Sequence, residues 1–260
     1  MSKKRAKTVA VMEEEVIVKA MNNLTLVNED PDLPKLQRIK LKFKTENQKV
    51  LWNIIHNNEI TLSVGPTGTG KTYVALAKAI DLVLDNNTPY KRVVIIKPIV
   101  EADEKLGYLP GDVEEKIDPY KKSTIQNLVK LVGTRRANEW MIKKGDYAKV
   151  EFDVLAYMRG VTIDDAVVIL DESQNMTVKQ YLTSVTRIGE NCKFIYLGSL
   201  EQSDRYKNGK DSGFWYAYQN LTNMENIGLH EFNKEDIVRN PIITKILDRF
   251  EEVNKNEMAS

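Results

Sequence analysis

The feature that most constrains the fold is a glycine-rich segment between an apolar run and a helical pattern. It reads Gly65-Pro66-Thr67-Gly68-Thr69-Gly70-Lys71-Thr72, follows the run Ile60–Val64 and precedes Tyr73–Leu84, whose apolar residues recur at helical spacing. Its glycines let the backbone curl so that N–H groups point at phosphate oxygens, and the following helix N-terminus adds partial positive charge. The segment predicts a triphosphate-binding loop in which Lys71 reaches the β- and γ-phosphates and Thr72 ligates Mg²⁺.

The second half of a triphosphate site is expected to be a buried strand that ends in a carboxylate. The run Val167–Leu170 is followed by Asp171 and Glu172. Asp171 is predicted to hold the magnesium, directly or through water, and Glu172 to polarise a water that attacks the γ-phosphate. The alternative for Glu172 is that it only caps the next helix, where the dipole favours a carboxylate.

Two further kinds of residue are expected around the phosphates. Gln202 follows a strand that ends at Gly198, so it should project from the carboxyl edge of the sheet and sense the γ-phosphate. Arginine suits the charge of the transition state because its fork bonds oxygens in pairs. Arg159, Arg187 and Arg239 each end an apolar stretch beside a turn residue. A structural ion pair or an exposed position is the alternative for each of them.

From Thr45 onward, strand-like and helix-like patterns alternate, which is typical of a mostly parallel sheet covered by helices on both faces. Together with the glycine-rich loop, this alternation predicts the α/β class and a P-loop NTPase. The predicted strands are Ile60–Val64, Arg92–Ile96, Val150–Asp153, Ala166–Leu170, Lys193–Leu197 and Ile227–Phe232. The predicted helices are Thr45–His56, Gly70–Leu84, Val113–Val132, Thr177–Arg187, Ser212–Leu221 and Pro241–Val253.

Composition limits the environment and the partners. With 42% apolar and 29% charged residues, no run long enough to span a bilayer and a basic N-terminus without an apolar stretch, we expect a cytoplasmic protein with no membrane contact. The single cysteine, Cys192, lies in an apolar run, is expected to be buried and suits a reducing compartment. A net charge of +1 means that binding to a nucleic acid would need a local groove or an assembled ring.

Several longer segments resemble the PhoH family, phosphate-starvation-inducible ATPases related to superfamily 1 helicases. The resemblance runs from about Thr45 to Arg249, and it is carried by the loop and by Glu101–Asp112, Leu155–Gly160, Ile169–Asn175, Thr186–Gly189 and Val238–Pro241. It implies a RecA-like fold and ATP and Mg²⁺ as cofactors. It also implies that Gln48 contacts adenine, that Asp171 and Glu172 are the magnesium and water pair, and that Gln202 is the γ-phosphate sensor. Arg159 and Arg187 are expected to contact the nucleotide.

The resemblance also implies an assembly, because the family forms ring-shaped hexamers. In such a ring Arg239 is expected to serve as an arginine finger, in its own subunit or on a neighbour's nucleotide. The sequence departs from the family pattern at Ser199, where an aspartate is usual, at Lys97, where arginine often stands, and at Asn240, where histidine is common. Ser199 weakens any role of that position in handling metal or water.

Residues 1–44 are expected to form a partly disordered extension, 45–253 the ATPase domain and 254–260 a flexible tail. The favoured function is ATP hydrolysis coupled to movement on, or remodelling of, single-stranded RNA or DNA by a homo-oligomeric ring. The pore of this ring would be lined by basic residues: Lys121, Lys122, Arg135, Arg136, Lys143 and Lys144. The alternatives are a nucleotide-controlled assembly protein with slow hydrolysis and, less favoured, a small-molecule kinase.

Overall fold

A parallel sheet of six strands forms the centre of the computed structural model, which describes residues 36, 38–98, 113–142, 149–158, 160–206, 209–238 and 249. Its strands are apolar and rich in β-branched residues, as expected for strands buried on both faces. All six predicted strands are confirmed, with ends that differ by at most one residue. They are β1 (Ile60–Val64), β2 (Arg92–Lys97), β3 (Val150–Val154), β4 (Ala166–Leu170), β5 (Lys193–Gly198) and β6 (Ile227–Glu231).

The strand order is β3-β2-β4-β5-β1-β6, and every neighbouring pair is parallel. Parallel strands place all their carboxyl ends at one edge of the sheet. The strand β5 lies between β1, which leads into the glycine-rich loop, and β4, which leads into Asp171. The loop and the acidic pair therefore face each other across the end of one intervening strand, a gap of roughly 10 Å between strand axes.

Within the described residues, six α-helices precede or connect the strands. They are α1 (Glu46–Asn57), α2 (Lys71–Leu84), α3 (Val113–Val132), α4 (Thr134–Ile142), α5 (Val178–Val185) and α6 (Gly213–Asn220). Thr45, Thr177 and Ser212 cap α1, α5 and α6 with their side-chain oxygens. The sequence did not predict α4, and the predicted helix Pro241–Val253 lies outside the described residues apart from Arg249.

The helices cover both faces of the sheet. Alternate residues of each strand point to opposite sides, so each face has its own apolar side chains to bury. Val93 and Ile95 of β2 pack with α1, α2, α3 and α4, whereas Val94 and Ile96 belong to a second cluster with α5 and α6. This three-layer arrangement confirms the predicted α/β P-loop NTPase fold. Cys192 is buried just before β5, as expected. In the described parts of the chain, no helix combines the length and the apolar character needed to cross a membrane.

Candidate nucleotide-binding site

The loop between β1 and α2 is held in a conformation that depends on glycine. Gly65 has φ of 151°, and a Cβ at this residue would lie 2.6 Å from the Cβ of Phe232. Gly70 has φ of 86° and φ/ψ in the left-handed region, where it begins α2 as its N-cap. The loop thus turns sharply after β1 and ends on a helix N-terminus, which is the geometry that binds phosphate.

Lys71 lies across this loop. Its ammonium group is largely buried and donates hydrogen bonds to the carbonyl oxygens of Gly65 and Pro66, each at 2.7 Å. The hydroxyl of Thr69 donates to the same Pro66 carbonyl at 3.1 Å. The predicted phosphate-binding lysine is therefore positioned at the mouth of the loop by the loop's own backbone.

Thr72 and Asp171 join the two halves of the site. The Thr72 hydroxyl donates to Asp171 Oδ1 at 2.9 Å, although the residues are 99 positions apart in the chain. A hydroxyl and a carboxylate are oxygen donors of the kind that Mg²⁺ prefers. Among the residues that the structure describes, no group of three or more His, Cys, Asp or Glu side chains is arranged so that it could hold a metal ion. Thr72 and Asp171 would fit Mg²⁺, because this ion is usually held by one or two protein oxygens together with phosphate and water oxygens.

Glu172 stands beside Asp171 in an unusual backbone conformation, with φ of 58° and ψ of 36°. Such left-handed conformations cost free energy for a residue other than glycine, and they often occur at functional sites. The carboxylate accepts a hydrogen bond from Gln174 Nε2 at 2.7 Å. The side chain reaches solvent, but the walls of the cleft desolvate its carboxyl group. This desolvation, and then the negative charge of Asp171, raise the pKa of Glu172.

The helix-capping interpretation of Glu172 is wrong. The next α-helix, α5, is capped by Thr177, whose hydroxyl accepts from the Gln180 N–H while the Gln180 side chain accepts from the Thr177 N–H. The turn at residues 173–175 receives no side-chain cap from Glu172. The carboxylate is instead held toward the cleft by Gln174.

Gln202 lies at the carboxyl edge of the sheet, where the sequence predicts it, and it reaches the loop. Its Oε1 accepts a hydrogen bond from the Thr67 hydroxyl at 2.5 Å, and its side chain remains exposed. The Thr67 hydroxyl also lies 3.4 Å from the hydroxyl of Ser199. The phosphate loop is therefore in contact with the segment that follows β5.

Gln174 organises this side of the site, and sequence reasoning did not assign it a role. Its amide nitrogen donates to Glu172 and, at 3.0 Å, to the Gln202 carbonyl, while its oxygen accepts from the Ser199 N–H at 3.0 Å. The side chain is fully buried. It lies within the segment Ile169–Asn175 that carries the family resemblance, and this was the one signal that could have identified it.

Gln48 packs against the loop, but through protein contacts. Its Nε2 donates to the Thr69 carbonyl at 2.9 Å and its Oε1 accepts from the Lys44 N–H at 2.8 Å. With 5% of its surface exposed, it holds the loop to the Lys44 backbone through these two hydrogen bonds. Its contact with adenine stays a prediction. The loop has a further contact near the end of the described residues, where the Val238 N–H donates to the Gly68 carbonyl at 3.0 Å. The predicted finger, Arg239, lies outside the described residues.

The structure does not bring Arg187 to the nucleotide site of its own chain. Its backbone carbonyl accepts from the Ile163 N–H, and its guanidinium contacts the Val161 carbonyl and the Thr186 hydroxyl. These residues precede β4 and follow α5, so they lie at the amino edge of the sheet, roughly 13 Å or more from the carboxyl edge. The expected contact of Arg187 with a nucleotide in the same chain is therefore wrong. Arg159 lies outside the described residues.

The site opens into a cleft of about 400 Å³ with a wall that the sequence did not predict. The side chains of α3 that form this wall are Ser123, Asn127 and Lys130, at spacings of four and three residues that place them on one helical face. Lys97, at the end of β2, donates to the Ser123 hydroxyl. The polar spacing along α3 was visible in the sequence, but only the strand order shows that this face meets the loop.

A sequence profile of the PhoH-like protein family matches residues 40–251 of this chain. The match spans most of the chain, including the loop, both acidic residues and Gln202. The chain belongs to the PhoH-like protein family. A PhoH-like protein from Bacillus subtilis is 37% identical over 82% of this chain and 65% of its own length, and one from Synechocystis is 35% identical over 81% and 62%.

The chain thus spans about two thirds or less of these curated relatives of the PhoH-like family. Among solved structures, the large terminase of a thermophilic bacteriophage is similar with a TM-score of 0.44 and 13% identity, over 75% of this chain and 47% of the other. A TM-score below 0.5 says nothing about function.

Proposed function

We propose that this PhoH-like chain binds ATP with Mg²⁺ and hydrolyses it. The observation that carries the proposal is the contact of the Thr72 hydroxyl with Asp171 at 2.9 Å, beside a Glu172 carboxylate that Gln174 orients into the same cleft. A phosphate loop by itself supports only binding. A second acid that is held beside the metal-binding acid supports the activation of water.

Each residue has a role that follows from its position. The loop N–H groups and Lys71 bind the phosphates, and Thr72 and Asp171 hold Mg²⁺, which when bound neutralises negative charge on the phosphates. Glu172 takes a proton from the attacking water, because Gln174 holds its carboxylate at the cleft beside Asp171. Gln202 contacts the loop at Thr67 and is positioned to respond to the γ-phosphate.

The coupled work is proposed to be binding, movement on or remodelling of single-stranded RNA or DNA by a ring of identical chains. Family membership supports this extension, together with the basic residues of α3 and α4, Lys121, Lys122, Arg135 and Arg136. Arg239 would then complete a site in its own subunit or in a neighbour. In this proposal the domain spans residues 45–253, and adenine lies on the Gln48 side of the loop.

Steady-state phosphate release from Mg·ATP tests the proposal, with and without single-stranded RNA or DNA. We expect turnover in the wild type, stimulation by one of the polynucleotides, and loss of activity in Lys71→Met. The matched control is Lys91→Met, which removes an exposed lysine at the opposite edge of the sheet. Nucleotide binding without turnover would contradict hydrolysis and favour a nucleotide-controlled assembly protein. Transfer of phosphate to an acceptor would favour a kinase.

A further inference from the structure

Lys97 brings a positive charge to the carboxylate that is proposed to hold magnesium. Its Nζ lies 3.5 Å from Asp171 Oδ2 and donates to the Ser123 hydroxyl at 3.0 Å. The other oxygen of the same carboxylate, Oδ1, accepts from Thr72. The two oxygens of Asp171 are thus divided between the phosphate loop and Lys97.

The register of the sheet fixes this contact. β2 and β4 pair with Ile96 opposite Leu170, and the Asp171 N–H donates to the Ile96 carbonyl at 3.0 Å. Lys97 and Asp171 therefore leave neighbouring strands at the same level. Their side chains are 14% and 7% exposed, so the pair is enclosed rather than a surface ion pair. Enclosure reduces the screening of the two charges by water, so the attraction between Lys97 and Asp171 is stronger than at an exposed site.

The geometry points to Lys97 as a positioning residue that pairs with Asp171 until the metal binds. When the metal displaces the Lys97 ammonium from Asp171, the contact of that ammonium with Ser123 on helix α3 changes as well. The inference rests on the proposed binding of Mg·ATP. A divalent cation and an ammonium group at one carboxylate repel each other, so the two compete for Asp171. The ammonium that leaves Asp171 is the same group that bonds Ser123.

Helix α3 is well placed to receive this change. Ser123, Asn127 and Lys130 lie on one face of the helix and line the same cleft as the loop and Glu172. A helix moves largely as a unit, so a change at Ser123 alters how Asn127 and Lys130 face the cleft. Magnesium binding at Asp171 thereby changes the wall of the cleft that α3 forms.

A magnesium titration of nucleotide binding tests the inference without any turnover. The probe is a fluorescent, non-hydrolysable ATP analogue at fixed concentration, and the readout is the Mg²⁺ concentration at half-maximal binding. For Lys97→Met we expect this concentration to fall about tenfold, because the competing cation is gone. For Ser123→Ala we expect a fall of about threefold, because one hydrogen bond that holds Lys97 is lost.

The double variant decides whether the two residues act together. In the Lys97→Met background, Ser123→Ala should cause no further fall, since its effect passes through Lys97. Lys97→Arg keeps the charge and should restore the wild-type midpoint. Lys91→Met, which breaks the lysine–aspartate pair at the other end of the same two strands, is the matched control and should leave the midpoint unchanged.

The outcomes separate this inference from the proposed function. Binding with an unchanged or higher magnesium midpoint in Lys97→Met overturns the inference and leaves the proposed function intact. An equal effect of Ser123→Ala with and without Lys97 overturns the link to α3. If Lys97→Met does not fold, an unchanged midpoint in Ser123→Ala overturns the inference by itself. Absence of any binding by the wild type contradicts the proposed function and the inference together.

Discussion

Two lysine–aspartate pairs flank the same two strands, β2 and β4, at opposite ends. Lys91 and Asp165 precede the strands, and their side chains are 73% and 26% exposed. Lys97 and Asp171 follow the strands, with 14% and 7% exposed. Residue types and pairing are the same, so the difference lies in what surrounds each pair. At the amino edge water surrounds the ions, whereas at the carboxyl edge the phosphate loop and α3 enclose them.

This comparison shows that the edge of the sheet, rather than the residue type, decides what an ion pair can do. Exposed pairs are screened by water and contribute little to stability or chemistry. The enclosed pair has an additional partner in Thr72 and lies beside a second acid, Glu172. The carboxyl edge is therefore where substitutions are expected to change function.

The largest expected effect is on the two aspartates of this comparison. Asp171→Asn removes the charge that is proposed to hold magnesium, so we expect turnover with Mg·ATP to fall by at least roughly 100-fold. Asp165→Asn breaks only contacts with Lys91 and Asn191, so we expect wild-type turnover. Phosphate release at saturating ATP measures both. Equal turnover of the two variants would remove the distinction between the edges.

A stability difference is expected between two glycines that both have positive φ, 151° at Gly65 and 82° at Gly133. Gly65→Ala places a Cβ 2.6 Å from the Phe232 Cβ and 2.7 Å from its carbonyl oxygen, and should cost about 3 kcal/mol or more from overpacking and strain. Gly133, between α3 and α4, has φ of 82° and no atom within 4 Å of an added Cβ. Gly133→Ala should cost only the strain, about 1 kcal/mol. Denaturant unfolding measures both variants, and equal costs would contradict the close packing at the loop.

The two histidines predict a pH dependence of stability that also differs between the edges. His230, in β6, is buried against Ser63 and the Asn47 carbonyl, and burial lowers its pKa to about 4. His56, near the amino edge, is exposed at the surface, and partial desolvation of its ring and the nearby lysines lower its pKa. Between pH 6.5 and 4 the unfolded chain binds the proton at His230 more readily than the folded chain does, so stability falls as pH falls.

For His230 the loss across this window is expected to reach about 3 kcal/mol at pH 4, where carboxylates contribute to the total as well. His230→Gln should flatten this part of the curve, and His56→Gln should flatten it much less. Denaturant unfolding from pH 7 to pH 4 checks the expectation. A curve for His230→Gln that is as steep as the wild type's would show that His230 is not held neutral.

The smallest expected effect concerns the link between the loop and the segment after β5. Gln202→Ala removes the bond to Thr67, so we expect turnover to fall about tenfold with little change in ATP affinity. The control is Gln219→Ala, at an exposed position of α6, which should behave as the wild type. A Gln202→Ala variant with unchanged turnover would contradict a sensing role.

Sequence patterns were enough to predict the strands and the two halves of the site. The strands are continuous apolar runs, and the loop and the acidic pair have characteristic residues at fixed spacing. Helix α4 was missed because its residues are mostly polar and because only one residue, Gly133, separates it from α3. Its burial becomes visible only in the fold, where Ala137 is fully buried and Trp140 and Met141 pack against the core.

The rest of the site depends on strand order, which local patterns do not determine. Lys97 becomes a neighbour of Asp171 only because β2 pairs with β4 in one register. Arg187, which ends an apolar stretch beside a glycine much as Arg159 does, lies at the amino edge because it follows α5 and precedes the start of β5. Gln174 is an ordinary polar residue in the sequence, and its role follows from three hydrogen bonds that only the folded chain forms.

The most direct test of the central claim is a comparison of binding and cleavage of ATP by Glu172→Gln. If the carboxyl edge is a hydrolytic site with Glu172 as the base, the variant should bind Mg·ATP as the wild type does and cleave it in a single turnover roughly 10²–10⁴ times more slowly. Glu190→Gln, an exposed glutamate at the amino edge, should cleave at the wild-type rate. Wild-type cleavage by Glu172→Gln would contradict the account.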